Sequence, residues 1–155
     1  MKKLFVALSM LAVIAAVPVF AADSSTTQIV AIVGKSVSIT GTLPTSTSLD
    51  VTATSANLGT VTIVSNTTGS WKITISSKNG GYMLGDTSAG HYLYNINFGT
   101  VLTGVSLATP QVVTVTGTGT LTYALQAAYT PAATYTPALV ADTYRDDITI
   151  SVAAL

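Results

Sequence analysis

Apolar and polar residues alternate with a period of two along most of this 155-residue chain. That is the pattern of strands buried on one face, and no stretch beyond the N-terminal leader carries a convincing helical period. Ile29, Ala31 and Val33 alternate with Val30 and Ile32, so both faces of that segment are apolar. Gly34 interrupts it, and Val37 and Ile39 continue the pattern to Gly41. A polar stretch over 42–48, containing Pro44, reads as a loop. Leu49, Val51 and Ala53 predict another short strand. The run LGTVTIVSNTTGSWKITISSKNGG, from Leu58 to Gly81, reads as strand, turn, strand, turn. Val61 and Ile63 share one face of its first strand, and Asn66 to Gly69 supplies turn residues. Trp71, Ile73 and Ile75 share a face opposite Lys72, Thr74 and Ser76, and Asn79-Gly80-Gly81 is a hairpin-type turn signal.

Farther along, Tyr92, Tyr94, Ile96 and Phe98 lie on one face, with Leu93, Asn95 and Asn97 on the other. Val113 with Val115, then Leu121, Tyr123 and Leu125, give two more alternations. Tyr-Thr-Pro-Ala occurs at Tyr129 and again at Tyr135, too few copies for a solenoid. Pro131 and Pro137 mark an exposed edge or loop, which predicts exposed tyrosines beside them. Asp147 to Ala154 is the last strand, with Ile148, Ile150, Val152 and Ala154 on one face. Eight or nine short strands at this spacing predict an all-β fold, a single β-sandwich.

The first residues set the compartment. Lys2 and Lys3 precede an apolar run from Leu4 to Val17 broken only by Ser9, and Pro18 and Val19-Phe20-Ala21 follow. This order is a secretory signal peptide over residues 1–21, with cleavage after Ala21 or one position later, after Ala22. The apolar run is shorter than the ~20 residues of a membrane-spanning helix. The chain then divides into an extended N-terminal segment, 22–34, and a sandwich domain, 35–155. The expected location is exported: the periplasm in transit, then the cell surface or an extracellular fibre.

Charged residues are 8% of the chain, against roughly a quarter in ordinary soluble domains. Threonine, a strand former, fills much of the gap. So uncharged a surface suits a protein packed against copies of itself or facing a membrane better than a free monomer. Without the leader the balance is negative, and the remaining basic residues, Lys35, Lys72, Lys78 and Arg145, are scattered. No basic patch exists for nucleic acid. There is no cysteine, hence no disulfide staple, and stability must come from one core.

Candidate chemistry is sparse. His91 is the only histidine, and a catalytic triad or a histidine-based zinc site needs partners that are missing. It reads as a surface or hairpin-tip residue. Asp146 and Asp147 are adjacent, so on a strand they point to opposite faces and cannot act as paired carboxylates. With Asp142 they read as a solvated turn rather than a calcium loop. Asn66-Thr67-Thr68 fits a glycosylation acceptor, but turn chemistry accounts for it better. The Gly-rich pieces GTGT and NGG have no basic residue placed to hold a phosphate. Trp71 shares its face with isoleucines and reads as core, although exposed aromatics would suit a sugar surface. No catalytic residue, cofactor or metal is expected.

The leader, the apolar extended segment, the unit LGTV…TGSWKITISSKNGG and the ending ADTYRDDITISVAA together resemble bacterial pilin-like subunits of the chaperone–usher route. The spore coat protein U-like and alternate-pilus families are the nearest in style. Ser70-Trp71 and the Tyr144 to Val152 ending carry most of the resemblance. Many such subunits carry cysteines, and this chain has none. The resemblance implies an immunoglobulin-like β-sandwich that is incomplete and is finished by donor-strand exchange, in which a neighbour's N-terminal strand fills the gap. Its implied partners are copies of the chain or related subunits, a periplasmic chaperone and an outer-membrane usher. The donor would be Ile29, Val30, Ala31, Ile32 and Val33, in either register, and Ile148, Ile150 and Val152 would flank the groove. The same segment is equally readable as an ordinary first strand of its own chain. Two other functions compete with a fibre subunit: a free-standing secreted module binding carbohydrate or a surface ligand, and a small outer-membrane β-barrel. An enzyme is the least supported class.

Overall fold

The computed structural model describes residues 28–41 and 43–155. The leader expected over residues 1–21, and residues 22–27 of the extended segment, lie outside the described residues. Two units separate at Ile32/Val33, and the second, Val33–Leu155, holds every strand described here.

Ten strands form among the described residues: β1 (Val37–Ile39), β2 (Ser55–Ser65), β3 (Ser70–Ser77), β4 (Tyr82–Gly85), β5 (His91–Phe98), β6 (Leu102–Val105), β7 (Gln111–Thr116), β8 (Gly119–Tyr129), β9 (Tyr144–Arg145) and β10 (Ile148–Ala154). All pairings are antiparallel. The fold is all-β and sandwich-like, with two sheets. A large sheet runs β1-β2-β8-β5-β4-β9, with β6 added on β5, and a small sheet runs β10-β3-β7.

The period-two pattern decides which side chains meet. Val61 and Ile63 of β2, Tyr92, Tyr94, Ile96 and Phe98 of β5, and Leu125, Ala127 and Tyr129 of β8 point inward from the large sheet. Trp71, Ile73 and Ile75 meet them from β3. The Trp71 indole Nε1–H donates to the Gly117 carbonyl at 3.1 Å, so the largest core side chain leaves no polar atom unmatched. Leu107, on the connection into β7, completes the cluster. The outer faces mix hydroxyls and amides with exposed apolar side chains such as Val64, Leu93 and Val112. Thr60 and Thr62 lie beside Ala124 and Thr122 on the large sheet, and Thr74 and Ser76 lie beside Ser151 and Thr149 on the small one.

Several local expectations are corrected. Leu49, Val51 and Ala53 form no strand: the Asp50 carboxylate accepts hydrogen bonds from the Thr52 N–H and hydroxyl. Ala53 N–H donates to the Asp50 carbonyl, and this tight turn overrides the alternation. Asn66–Gly69 is the turn expected, and it carries the chain across the core, because β2 and β3 belong to different sheets. Asn79–Gly81 likewise leads from the small sheet to β4 in the large one. Gly81 has φ +87°, and a Cβ there would press on the Leu107 and Ala108 backbone. Tyr129, expected to be exposed, is 7% accessible, and Tyr135 is half-buried. Both ring edges pack against Tyr92, with centroids 5.9 and 5.2 Å away.

Candidate functional site

β10 pairs with β3 through seven residues, from Ile148↔Ser77 to Ala154↔Trp71. It is the end strand of the small sheet, so among the described residues its outer backbone groups have no ladder partner. Ile148, Ile150 and Val152 turn toward the core from this edge and are only half-buried, whereas Ile73 and Ile75 on β3 are 0% accessible. β1 comes within 8 Å of β10, Cα to Cα, yet pairs only with β2. β1 therefore borders the edge of β10 without forming a ladder with it. β7 forms the other edge of the small sheet, with Val113 and Val115 half-buried.

Asn66 fixes where the chain joins this edge. Its side-chain oxygen accepts from the Ser36 N–H at 2.6 Å, its side-chain amide donates to the Gly34 carbonyl at 2.9 Å, and its own N–H donates to the Ser36 carbonyl at 3.1 Å. Lys35 Nζ donates to the Leu155 carbonyl at 3.4 Å. Upstream of this clamp, Gln28–Gly34 carries no strand. Ile29 is 93% accessible, Ile32 92%, Val33 81% and Val30 68%, and Ala31 is exposed.

The aspartates expected to form a solvated turn have structural work instead. Asp146 Oδ2 accepts from Tyr94 Oη at 2.6 Å and Ser77 Oγ at 2.5 Å, and Oδ1 accepts from the Asn79 N–H at 3.0 Å. One carboxylate thus ties β3, β5 and the approach to β10. Burial and the bond to Asp146 hold the Tyr94 phenol well above its ordinary value. Asp142 accepts from the Thr87 and Ser88 N–H groups at 2.9 and 2.7 Å, and these bonds hold its carboxyl well below the usual carboxylate range. His91 opens β5, is exposed, and stacks on Tyr82 at 3.9 Å. Among the described residues no group of three or more His or acidic side chains could hold a metal ion.

A cleft of about 790 Å³ opens at this end of the sandwich, between the loop around 45–51 and the chain over 139–148. Leu58, Met83, Tyr92 and Ile148 are among its apolar walls. Its tyrosine hydroxyls are already engaged: Tyr92 Oη donates to the Thr130 carbonyl, Tyr94 Oη to Asp146, and Tyr144 Oη to the Val140 carbonyl.

Sequence reasoning picked out the arm and the inward residues of β10. It missed the Asn66 clamp and the Asp146 hub, because a side chain bonding 30 or 52 positions away leaves no local pattern. No known family model matches the chain, and no curated protein does either.

Proposed function

We propose that this protein is a structural subunit of a bacterial surface fibre or coat, assembled by donation of the N-terminal arm to the open edge of another copy. The observation that carries this reading is the pairing of a need with a means. Among the described residues β10 has no ladder partner on one side and keeps three apolar side chains half-buried, while Ile29–Val33 is apolar, exposed and outside any strand. An added strand would satisfy the free backbone groups and cover Ile148, Ile150 and Val152. Export through a leader over 1–21, an immunoglobulin-like topology, and a chaperone and usher as partners belong to this same reading.

The cleft keeps a free-standing binding module as the second reading, although its engaged tyrosine hydroxyls favour a structural role. A membrane barrel has less support, since Trp71, Ile73, Ile75 and Phe98 fill an apolar core between two sheets, where a barrel keeps a polar interior.

Sheared surface material from the native cells, run on a denaturing gel with and without boiling and imaged by negative stain, tests the reading. The expected result is a ladder that collapses to one band on boiling, with fibres that contain the protein. A single unboiled monomer band without fibres would overturn it in favour of the free-standing module.

A further inference from the structure

The few charges of this chain are sorted along the strand axis. At one end lie the start of β2, the ends of β3 and β8, and the starts of β5 and β10; the Asp146 bonds to Ser77 and Tyr94 hold the two sheets together there. Every described aspartate is at that end. Asp50 sits beside the last residue of β8, whose Tyr129 Oη donates to its carbonyl. Asp86 follows β4, and Asp142, Asp146 and Asp147 precede β10. Lys78 pairs with Asp147 at 3.1 Å and Arg145 with Asp86 at 3.0 Å. Five aspartates against one lysine and one arginine leave three net negative charges at this end.

The opposite end holds the starts of β1 and β3 and the end of β10. Its charged side chains are Lys35, just before β1, and Lys72, which pairs with Ala153 and Thr114 near the start of β3. Among the described residues neither lysine is in a salt bridge with an aspartate, and Lys35 Nζ donates to the Leu155 carbonyl at 3.4 Å. The long faces between the two ends are hydroxyl- and amide-bearing and nearly uncharged, so this separation dominates the field of the domain.

We propose that copies of this chain meet end to end, the lysine end of one approaching the aspartate end of the next, with charge attraction setting the polarity and rate of encounter. This rests on the fibre reading and adds to it. The arm is covalently continuous with the lysine end through Gly34 and Lys35, where Asn66 clamps the chain. The cleft that leads to Ile148, the first residue of β10, opens at the aspartate end. Attraction in this polarity therefore brings arm and open edge of successive copies together, and the reverse polarity sets like ends against each other. Exposed ion pairs add little affinity, so the effect belongs to the encounter rate and its salt dependence.

The experiment follows assembly of the full-length chain by light scattering and by unboiled gel ladder, from about 20 to 500 mM sodium chloride. The Debye length falls below about 10 Å over that range. Wild type should assemble at least about tenfold more slowly at the high-salt limit. K35E/K72E has two negative ends and D50K/D147K two positive ends. Each should assemble slowly alone at low salt, and their equimolar mixture should recover the wild-type rate. Circular dichroism on each variant establishes that it is folded, and K35Q/K72Q, which only removes charge, should fall between wild type and K35E/K72E. Ladders that form at the same rate regardless of salt and charge reversal, or a mixture no faster than its components, would overturn the end-to-end inference and leave the fibre reading standing. Absence of any ladder from wild type at every salt concentration would overturn both.

Discussion

β3 and β10 lie side by side in the same three-stranded sheet, carry the same alternation and face the same core, yet they bury their apolar residues to different depths. Ile73 and Ile75 are sealed by neighbours on both sides, while Ile150 and Val152, opposite Ile75 and Ile73 in the register, are covered from one side only. The two strands separate two requirements that one pattern serves. A central strand holds the domain together, and an edge strand with the same chemistry is an unfinished interface.

The sharpest way to break the comparison is to empty the centre. Trp71→Ala removes the largest core side chain and its bond to Gly117, and should cost about 3–5 kcal/mol in chemical denaturation, enough to unfold much of the population of a marginal domain. Ile150→Ala should cost the unassembled chain less, about 1–2 kcal/mol, because its side chain is already half-exposed. The distinguishing measurement is the same variant in multimers. If a donated strand covers this edge, the heat stability of the ladder should drop more than the monomer's melting does. Equal losses in both would mean that β10 gains no cover on assembly.

Replacing an arm residue tests the other half of the pair. Ile32→Asp should leave the monomer's denaturation midpoint within about 0.5 kcal/mol of wild type, as expected for an exposed site, and should abolish boiling-sensitive multimers. Acid distinguishes the aspartate end from the core edge. The Asp142 carboxyl is held below its ordinary 3.8 by N–H donors, so its contribution is full above about pH 4 and is lost as pH falls through the lower folded value. A melting series from pH 5 down to pH 2 should show a decline that Asp142→Asn makes shallower. The smallest effect is expected on the solvent side of the same edge strand, where Thr149→Ala should change stability by less than about 0.5 kcal/mol.

Most of the strand inventory was legible because inward and outward residues alternate cleanly: Trp71, Ile73 and Ile75, and Tyr92 through Phe98, are buried as the pattern requires. What alternation cannot encode is which strand sits beside which. Asn66–Gly69 reads as a turn and Asn79–Gly81 as a hairpin-type turn, yet each carries the chain to the other sheet, because the deciding bonds go to Gly34, Ser36, Arg145 and Asp146, far away in sequence. Tyr129 misled for a related reason: the proline two residues later marks a loop, but the tyrosine is the last inward position of β8. The arm was readable as apolar, and alternation on both of its faces carries no signal of which edge it would pair with.

Lys35 has a further consequence. It is exposed, lies outside any strand, and joins the arm to β1, whereas Lys72 sits in the middle strand of the small sheet, paired on both sides. A trypsin-like protease therefore meets exposed sites at the root of the arm and at Lys78 and Arg145, and a protected one at Lys72 within the core sheet. One cut after Lys35 would sever the arm while sparing every strand, so digestion at this bond offers a clock for subunits that have not yet joined a neighbour.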